Sequence, residues 1–548
     1  MVGGYFKNNQ GLKMIFKEWF VLKSLSAGDW PYLFPENIAE FSFFPQWPFL
    51  WLTPFYQLTA KIFVQYLGFS WELTEKIVWF WPFLFLTIFS SWYLVKTIFK
   101  KASFLLFTFY FLLYGFNTYI LMVVGGGQMG VAMAYSLAPL VLGRFMRKNL
   151  KPQTSSLKPL MFTGVVLAIQ IMFDPRIAFI TVLVVLVYWF INRLERLKLL
   201  IIPVFLAFFL NSYWILPTIR FGVPTQLESY RESGWMNYLS IAKFSDGISL
   251  LHPNWPENIF GKTYFMKPEF IILPILAFSS LLFLKSLITN YQLLITYFAL
   301  LALIGAFLAK GVNPPLGIIN RWLFQIPGFN LFRDPTKFYL LVCLSYSVLV
   351  PFSIYKIYSL LKSKVKYLFL LFALGYLLFL IKPLILGQLG GTFRAKEVPQ
   401  EYIALKDFLI KDQSSGRVLW LPTKQRFGFS SNNHPAINSE DYLTDFICKE
   451  PFCSLKMEMP SKWGEKCFPN DRCYVRELSY FLNPKTAEIM AQMGIKYIVV
   501  PFDSEKEIFI AEWKYNPQQR EEVEEFLDTI PWLKKIEVAD KIAMYEVR

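Results

Sequence analysis

The chain has 548 residues, of which 55% are hydrophobic, 19% aromatic and only 17% charged, with a mean hydropathy of +0.39. A charged fraction this far below the ~25% of soluble domains, concentrated outside long apolar blocks, excludes a cytosolic enzyme, a disordered chain and a disulfide-rich miniprotein. The net charge of +16 does not mark a nucleic-acid binder: up to residue 390 there are 33 Lys and Arg against 14 Asp and Glu, and beyond it 22 against 25, so the excess belongs to the apolar part and reads as topology charge.

Residues 1–75 form the first segment. Met14–Leu25 is interrupted by Lys17, Glu18 and Lys23 and is too short to cross a bilayer. Phe43–Phe69 is rich in Phe, Trp, Tyr and Pro but broken by Gln57, Lys61 and Gln65, which suits helices lying in the membrane interface. Ten apolar stretches follow, at 77–95, 102–124, 130–146, 159–174, 177–192, 199–217, 268–285, 293–309, 338–355 and 367–386. Each is read as a membrane helix, because a helix satisfies its own backbone groups within the hydrocarbon layer.

Basic residues orient these spans. Lys96, Lys100 and Lys101, then Arg144, Arg147, Lys148, Lys151 and Lys158, then Arg193, Arg196 and Lys198, then Lys285, and then Lys356, Lys362, Lys364 and Lys366 fall in alternate connections. The opposite connections carry none in 125–129 and only Arg176 in 174–176. The basic set is therefore cytoplasmic, and the external side receives residues 1–75, the loops 218–267 and 310–337, and everything after about 387. An external first segment leads us to expect a further helix upstream of this sequence.

Beyond Gly387, Gly390 and Gly391 the composition becomes that of a soluble domain. The periodicity predicts helices over 399–411, 484–493 and 519–527 and strands over 417–421, 496–500 and 541–547, with Gly494 stopping the second helix. The expected organisation is thus an external segment (1–75), a transmembrane helical domain (76–390) and an extracytoplasmic α/β domain (391–548). The fold class is a polytopic α-helical membrane protein of about ten or eleven spans with that α/β domain attached. Cys448, Cys453, Cys467 and Cys473 lie in the last part without a C-x2-C pair. An external location favours two disulfides over a zinc site, and their pairing is not legible from spacing.

Conventional active-site motifs are missing. Gly125-Gly126-Gly127-Gln128-Met129-Gly130 matches a dinucleotide fingerprint as a string, but it lies between two membrane helices rather than in a βαβ unit, so it reads as a tight turn. Two histidines, His252 and His434, exclude a histidine metal cluster, and there is no Walker A lysine, H-E-x-x-H, G-x-S-x-G or D-x-D. No cofactor and no metal is therefore invoked. What remains is ionisable groups at the external face: Asp29 with Glu36 in the first segment, Asp174-Pro175-Arg176 between two spans, His252 in the loop 218–267, and Arg333-Asp334-Pro335-Thr336-Lys337 entering the ninth span. Such groups are costly at a membrane boundary and mark functional sites. The blander readings are a turn aspartate for Asp29, an internal ion pair for Asp174 and Arg176, snorkelling anchors for Arg333 and Lys337, and a structured turn around His252. The chemistry that unites them is glycosyl transfer. A carboxylate accepts the proton of an attacking hydroxyl, and cations stabilise a departing lipid phosphate, which leaves as an anion without an acid.

At these residues the sequence resembles the GT-C superfamily of membrane glycosyltransferases, in particular YfhO-like and arabinofuranosyltransferase-like proteins. The resemblance rests on Gly28-Asp29-Trp30, on the glycine-rich turn followed by Ala134-Tyr135 and Pro139-Leu140, and on the 332–338 segment Phe-Arg-Asp-Pro-Thr-Lys-Phe. In the tail it extends to Val398-Pro399-Gln400-Glu401-Tyr402, Arg417-Val418-Leu419-Trp420-Leu421-Pro422, the run 494–500 and Met544-Tyr545-Glu546. It implies an enzyme that moves a sugar from a polyprenyl-phosphate donor to an external glycan, glycolipid or glycoprotein, with an essential aspartate in the first external loop. That role falls on Asp29, while Lys337, Arg333, Arg176, Asp174, Glu36 and His252 are the expected substrate-binding residues. The rival readings are a transporter or flippase of lipid-linked sugars and a non-catalytic subunit of a glycan-assembly complex. Spans nearly free of charge favour the enzyme over the flippase.

Overall fold

The computed structural model describes residues 62–63, 66–69, 73, 76–99, 104–125, 128–150, 157–191, 198–221, 237, 239–253, 267–287, 289–326, 329–332, 334–362, 364–389, 400–421, 433–434, 436–438, 479–482, 485–500 and 517–548. Asp29, Glu36, Arg333, Trp463, Tyr474 and the cysteines 448, 453, 467 and 473 lie outside them, so the disulfide and first-loop expectations have no structural account.

The first part is helical. A π-helical turn, Lys76–Phe80, leads into α1 (Trp81–Ile98), followed by α2 (Phe104–Gly115), α3 (Thr118–Gly125), α4 (Met129–Leu150), α5 (Lys158–Phe173), α6 (Pro175–Ile191), α7 (Lys198–Leu210) and α8 (Ser212–Phe221). After the short α9 (Phe244–Ile248) come α10 (Lys267–Ser279) with a 3-10 extension to Ser286, α11 (Thr289–Ala309), α12 (Gly317–Gln325), two 3-10 turns (Phe329–Phe332 and Pro335–Phe338), α13 (Tyr339–Leu360), α14 (Val365–Leu380) and α15 (Lys382–Ile385).

Among the described residues five helical stretches are long and apolar enough to cross a membrane: Lys76–Ile98, Met129–Met146, Pro268–Lys285, Tyr291–Ala309 and Pro335–Leu360. This is a membrane protein, and three of the ten predicted spans are bent or broken rather than continuous helices. The 102–124 stretch is broken into α2 and α3 with a bend of 47°. Its break is built by Asn117, whose Oδ1 accepts the Ile120 N–H (3.0 Å) and whose Nδ2 donates to the carbonyls of Leu113 and Tyr114 (2.9 and 3.0 Å). One amide thus satisfies backbone groups freed inside an apolar environment, where an orphan would be costly. The stretches 159–174 and 177–192 form the short helices α5 and α6, parted at Asp174, and 199–217 breaks at Asn211, whose Nδ2 donates to the Ala168 and Ala207 carbonyls. The last, 367–386, ends in a turn before Lys382-Pro383.

Packing separates inner from outer helices. In α4 and α13, 94% of the span is buried, and their buried residues include small or polar ones among the large apolar side chains: Ala132, Ala134, Ser136 and Ala138 in one, Ser345, Ser347 and Ser353 in the other. Small residues let membrane helices approach closely. At Gly305 of α11 an added Cβ would stand 2.6 Å from the Leu341 Cβ of α13, so only glycine permits that approach. The exposed Phe, Leu and Ile side chains of α1, α7, α10 and α14 are what a lipid-facing surface requires.

The C-terminal region is α/β. Helix α16 (Gln400–Lys411) precedes β1 (Arg417–Trp420) and β2 (Ala436–Asn438); α17 (Lys485–Gln492), β3 (Ile495–Val500), α18 (Pro517–Asp528), β4 (Leu533–Ala539) and β5 (Ile542–Val547) follow. The sheet order is β2-β1-β3-β5-β4, with β1 parallel to β2 and β3, and β5 antiparallel to β3 and β4. Leu419 pairs with Ile498 and Val499 with Met544. One sheet face packs Leu419, Ile498, Val500 and Tyr545 with Met490, Val523 and Leu527. The other buries Val418, Trp420, Val499 and Met544, so Trp420 is a core residue. Gly494 reaches β3 with φ +69°, the left-handed turn that suits glycine. The β4 strand and the short β2 were missed in the sequence because Leu533–Ala539 alternates poorly, with Lys534, Lys535 and Glu537 exposed on a sheet edge.

Candidate functional site

Gln128 of the α3–α4 turn, the α5–α6 turn, the α9 loop and the entry to α13 lie at one end of the bundle. At this end two Asp-Pro pairs are built alike. Asp174 caps α6: its Oδ1 accepts the backbone N–H of Arg176 and Ile177 (2.8 and 3.0 Å), while Pro175 occupies the first helical position, where no N–H is needed. Arg176 folds back onto the same carboxylate, Nη2 to Oδ2 at 2.6 Å. Asp334 caps the Pro335–Phe338 turn, accepting from Thr336 N–H and Oγ1–H, and Lys337 folds back onto its Oδ2 at 2.9 Å. Lys337, whose side chain is 5% exposed, also donates to Gln128 Oε1 (3.2 Å). This amide comes from the glycine-rich turn, so that turn, the span entry at 335 and the α5–α6 turn face one another.

His252 closes the cluster. Its backbone N–H donates to Thr118 Oγ1 (2.8 Å), which in turn donates to the Leu250 carbonyl (2.7 Å), and Tyr339 donates to the Leu251 carbonyl (3.1 Å). Leu250 is held at φ +54°, a left-handed conformation that a Leu adopts only when its surroundings impose it. The imidazole is buried, 5.0 Å from the Tyr339 ring and 5.7 Å from the Tyr119 ring, and those two tyrosines stack at 5.8 Å. Among the described residues, His252 Nδ1 and the Tyr119 hydroxyl are buried without a hydrogen-bond partner.

The electrostatics follow from this packing. Burial alone would raise both carboxyls, but Arg176, with help from Lys337, holds Asp174 below the usual range, and Lys337 with Thr336 holds Asp334 well below it. Burial lowers His252 to about 4, and Asp334 opposes that only in part. The imidazole is neutral at pH 7.

A pH dependence follows, with its sign. His252 binds a proton more readily unfolded (about 6.5) than folded, so its contribution is complete above that value and is lost as pH falls towards 4. The carboxylates add a loss below about pH 4, since they too are protonated first in the unfolded chain. We expect the melting temperature of the purified protein to be flat from pH 8 to about 6.5 and to fall from there to 4. His252→Gln should flatten the 6.5–4 portion and leave the lower one. An unchanged profile in that variant would reject the assignment.

Of the residues singled out in the sequence, Asp174, Arg176, His252 and Lys337 are brought together, whereas Asp29, Glu36 and Arg333 are outside the described residues. Gln128, Thr118 and Tyr119 were not recognised. Gln128 was signalled only by being the one polar side chain in an apolar turn, and Tyr119 by nothing, since a tyrosine inside a span resembles packing. Among the described residues no group of three His, Cys, Asp or Glu side chains is placed to hold a metal.

No protein-family model matches the chain, and no protein of curated function matches it in sequence. Among solved structures, the cryo-EM structure of the mycobacterial arabinofuranosyltransferase AftD superimposes with a TM-score of 0.50 at 12% identity, over 98% of this chain and 38% of that one. A point variant of the same enzyme gives 0.48, again at 12% identity, over 99% and 39%. The chain therefore spans less than two-fifths of the length of that enzyme, and what the likeness gives is a shared fold alone.

Proposed function

We propose that the protein is a membrane glycosyltransferase of GT-C type that moves a sugar from a polyprenyl-phosphate donor to an external glycan, glycolipid or glycoprotein. The carrying observation is the convergence, at one end of an apolar bundle, of Lys337, Arg176, Asp174, Asp334 and Gln128 from three separate connections. In this reading that end faces outward, all ten apolar segments lie in the membrane, and the α/β domain stands on the external side with the acceptor.

The step is a displacement at the anomeric carbon. An acceptor hydroxyl forms the new C–O bond as the bond to phosphate breaks, its proton passing to the Asp29 carboxylate and the bonding pair leaving with the phosphate. Lys337, Arg176 and Arg333 hold that anion; Asp334 and Asp174 orient two of these cations. The likeness of fold to an arabinofuranosyltransferase supports transfer chemistry and leaves the sugar open.

Membranes containing the protein, incubated with a radiolabelled polyprenyl-phosphate sugar, test the proposal. We expect transfer by the native chain and a loss of at least about 100-fold in Asp29→Asn, in line with removal of a general base. No transfer by the native chain, or equal transfer by the variant, defeats it.

A further inference from the structure

The α12 helix is inverted relative to a helix at a water surface. Its exposed surface is largely apolar, with Ile318 71% and Trp322 62% exposed and Leu316 just before it 63%, Arg321 and Gln325 being the polar exceptions, and its one fully buried residue is an amide, Asn320. In water this arrangement is unfavourable on both faces. At the boundary between headgroups and acyl chains the outer face is satisfied, and Trp322 is of the type that anchors there. Its position agrees: the candidate spans ending at Ala309 and beginning at Pro335 flank it, so it is tethered where the bilayer ends.

The segment before α12 is rigid. Lys310 Nζ donates to the Asn313 and Gly311 carbonyls (2.6 and 3.2 Å), Val312 N–H to Ser240 Oγ (3.1 Å), and Asn313 Nδ2 to the Ala242 carbonyl (2.7 Å). Gly317 then passes so close to the Val312 carbonyl that no side chain fits.

Beneath the helix is a crevice of about 290 Å³ that opens outward, walled by Asn320, Leu323, Phe324, Phe329, Phe332 and Phe338. The enclosed part is narrow, with room for a single small group and too little for a chain. Asn320 Nδ2 is buried there with no hydrogen-bond partner among the described residues. A buried donor calls for an acceptor, and a wall otherwise made of apolar side chains suits an oxygen carried at the end of a hydrocarbon chain. Pro335 completes the same wall, and it belongs to the turn that carries Lys337 and is capped by Asp334.

We infer that α12 seats a phosphorylated long-chain lipid: Asn320 Nδ2 donates to a headgroup oxygen entering the crevice, the hydrocarbon chain runs along Ile318 and Trp322, and Arg321 beside them faces the headgroup charge. This deepens the reading above, on which it rests, by assigning the lipid half of the donor a place of its own.

The full chain in nanodiscs, exposed to undecaprenyl phosphate bearing a diazirine on its isoprenoid chain, with diazirine phosphatidylcholine in a parallel sample, tests it. We expect the prenyl phosphate to label the 316–332 peptide. Labelling should fall about tenfold, one polar interaction's worth, in both Asn320→Asp, which cannot donate, and Asn320→Leu, which satisfies the apolar wall and keeps the melting temperature; Asn320→Gln should retain part of it. Labelling by prenyl phosphate that maps elsewhere, that is equal in all variants, or that phosphatidylcholine reproduces with the same dependence overturns the inference. Transfer of sugar with labelling elsewhere removes this site and leaves the proposed function; labelling as expected without transfer does the reverse.

Discussion

Lys337→Met is expected to lower transfer from a polyprenyl-phosphate sugar by roughly 100- to 1000-fold, the range seen when one preorganised donor to a developing anion is removed. The ammonium is nearly buried and is held by Asp334 Oδ2 at 2.9 Å and Gln128 Oε1 at 3.2 Å, which leaves one of its three N–H groups for a ligand. It is therefore aimed before the phosphate arrives, and little reorganisation is needed as charge develops on the leaving oxygen. Met keeps the length and apolar stem among Phe338 and Tyr339, and Asp334, with a third of its side chain exposed, can be rehydrated, so the loss should fall on rate and not on folding. Gln128→Leu, which removes one orienting acceptor while retaining the charge, should cost about tenfold. Initial rates at saturating donor, with a melting temperature for each variant, decide the matter. Transfer by Lys337→Met within about threefold of the native rate would take the phosphate out of Lys337's hands.

How much of this was legible depends on which force dominated locally. The apolar runs showed where helices lie, and the Lys and Arg distribution showed that the turns at 125–129 and 174–176 share an end, because burial and topology charge act on many residues at once. Single polar side chains were harder. Asn117 and Asn211 break or end helices from within apolar runs, and nothing in a window average reports that one amide will satisfy several backbone groups. The same limit applies to the site. Asp174, Arg176 and Lys337 could be singled out because a charge at a membrane boundary is costly by itself. Gln128, Thr118 and Tyr119 acquire meaning only through partners 209, 132 and 133 residues or more away in the chain, and that proximity is a property of packing. In the C-terminal region helices 399–411, 484–493 and 519–527 match α16, α17 and α18 within a few residues, since periodicity, Gly494 and proline punctuation all agree there.

Asp174 separates structural from chemical roles most sharply, because one carboxylate both caps α6 and neutralises Arg176. Asp174→Ala removes both at once. The cap is worth about 1 kcal/mol, and stripping the partner from a largely buried cation costs about 3 to 5 kcal/mol; with the Arg176 side chain 19% exposed and able to reach some water, the lower end applies, so a loss of about 3 to 4 kcal/mol is expected. Asp174→Asn keeps an acceptor for the Arg176 and Ile177 N–H groups and loses only the charge, so it should recover the cap contribution and no more. Removing both partners, in Asp174→Asn with Arg176→Gln, should be milder than Asp174→Ala, since no uncompensated charge then remains inside. Unfolding of the solubilised protein followed by helical circular dichroism measures all three. If Asp174→Ala unfolds with the native midpoint, the pair is an exposed ornament rather than a buried brace, and Arg176 could not be held in place for a phosphate. If instead the double variant is folded but transfers no sugar while Asp174→Asn still does, the guanidinium itself, and not the pairing, is what the donor requires.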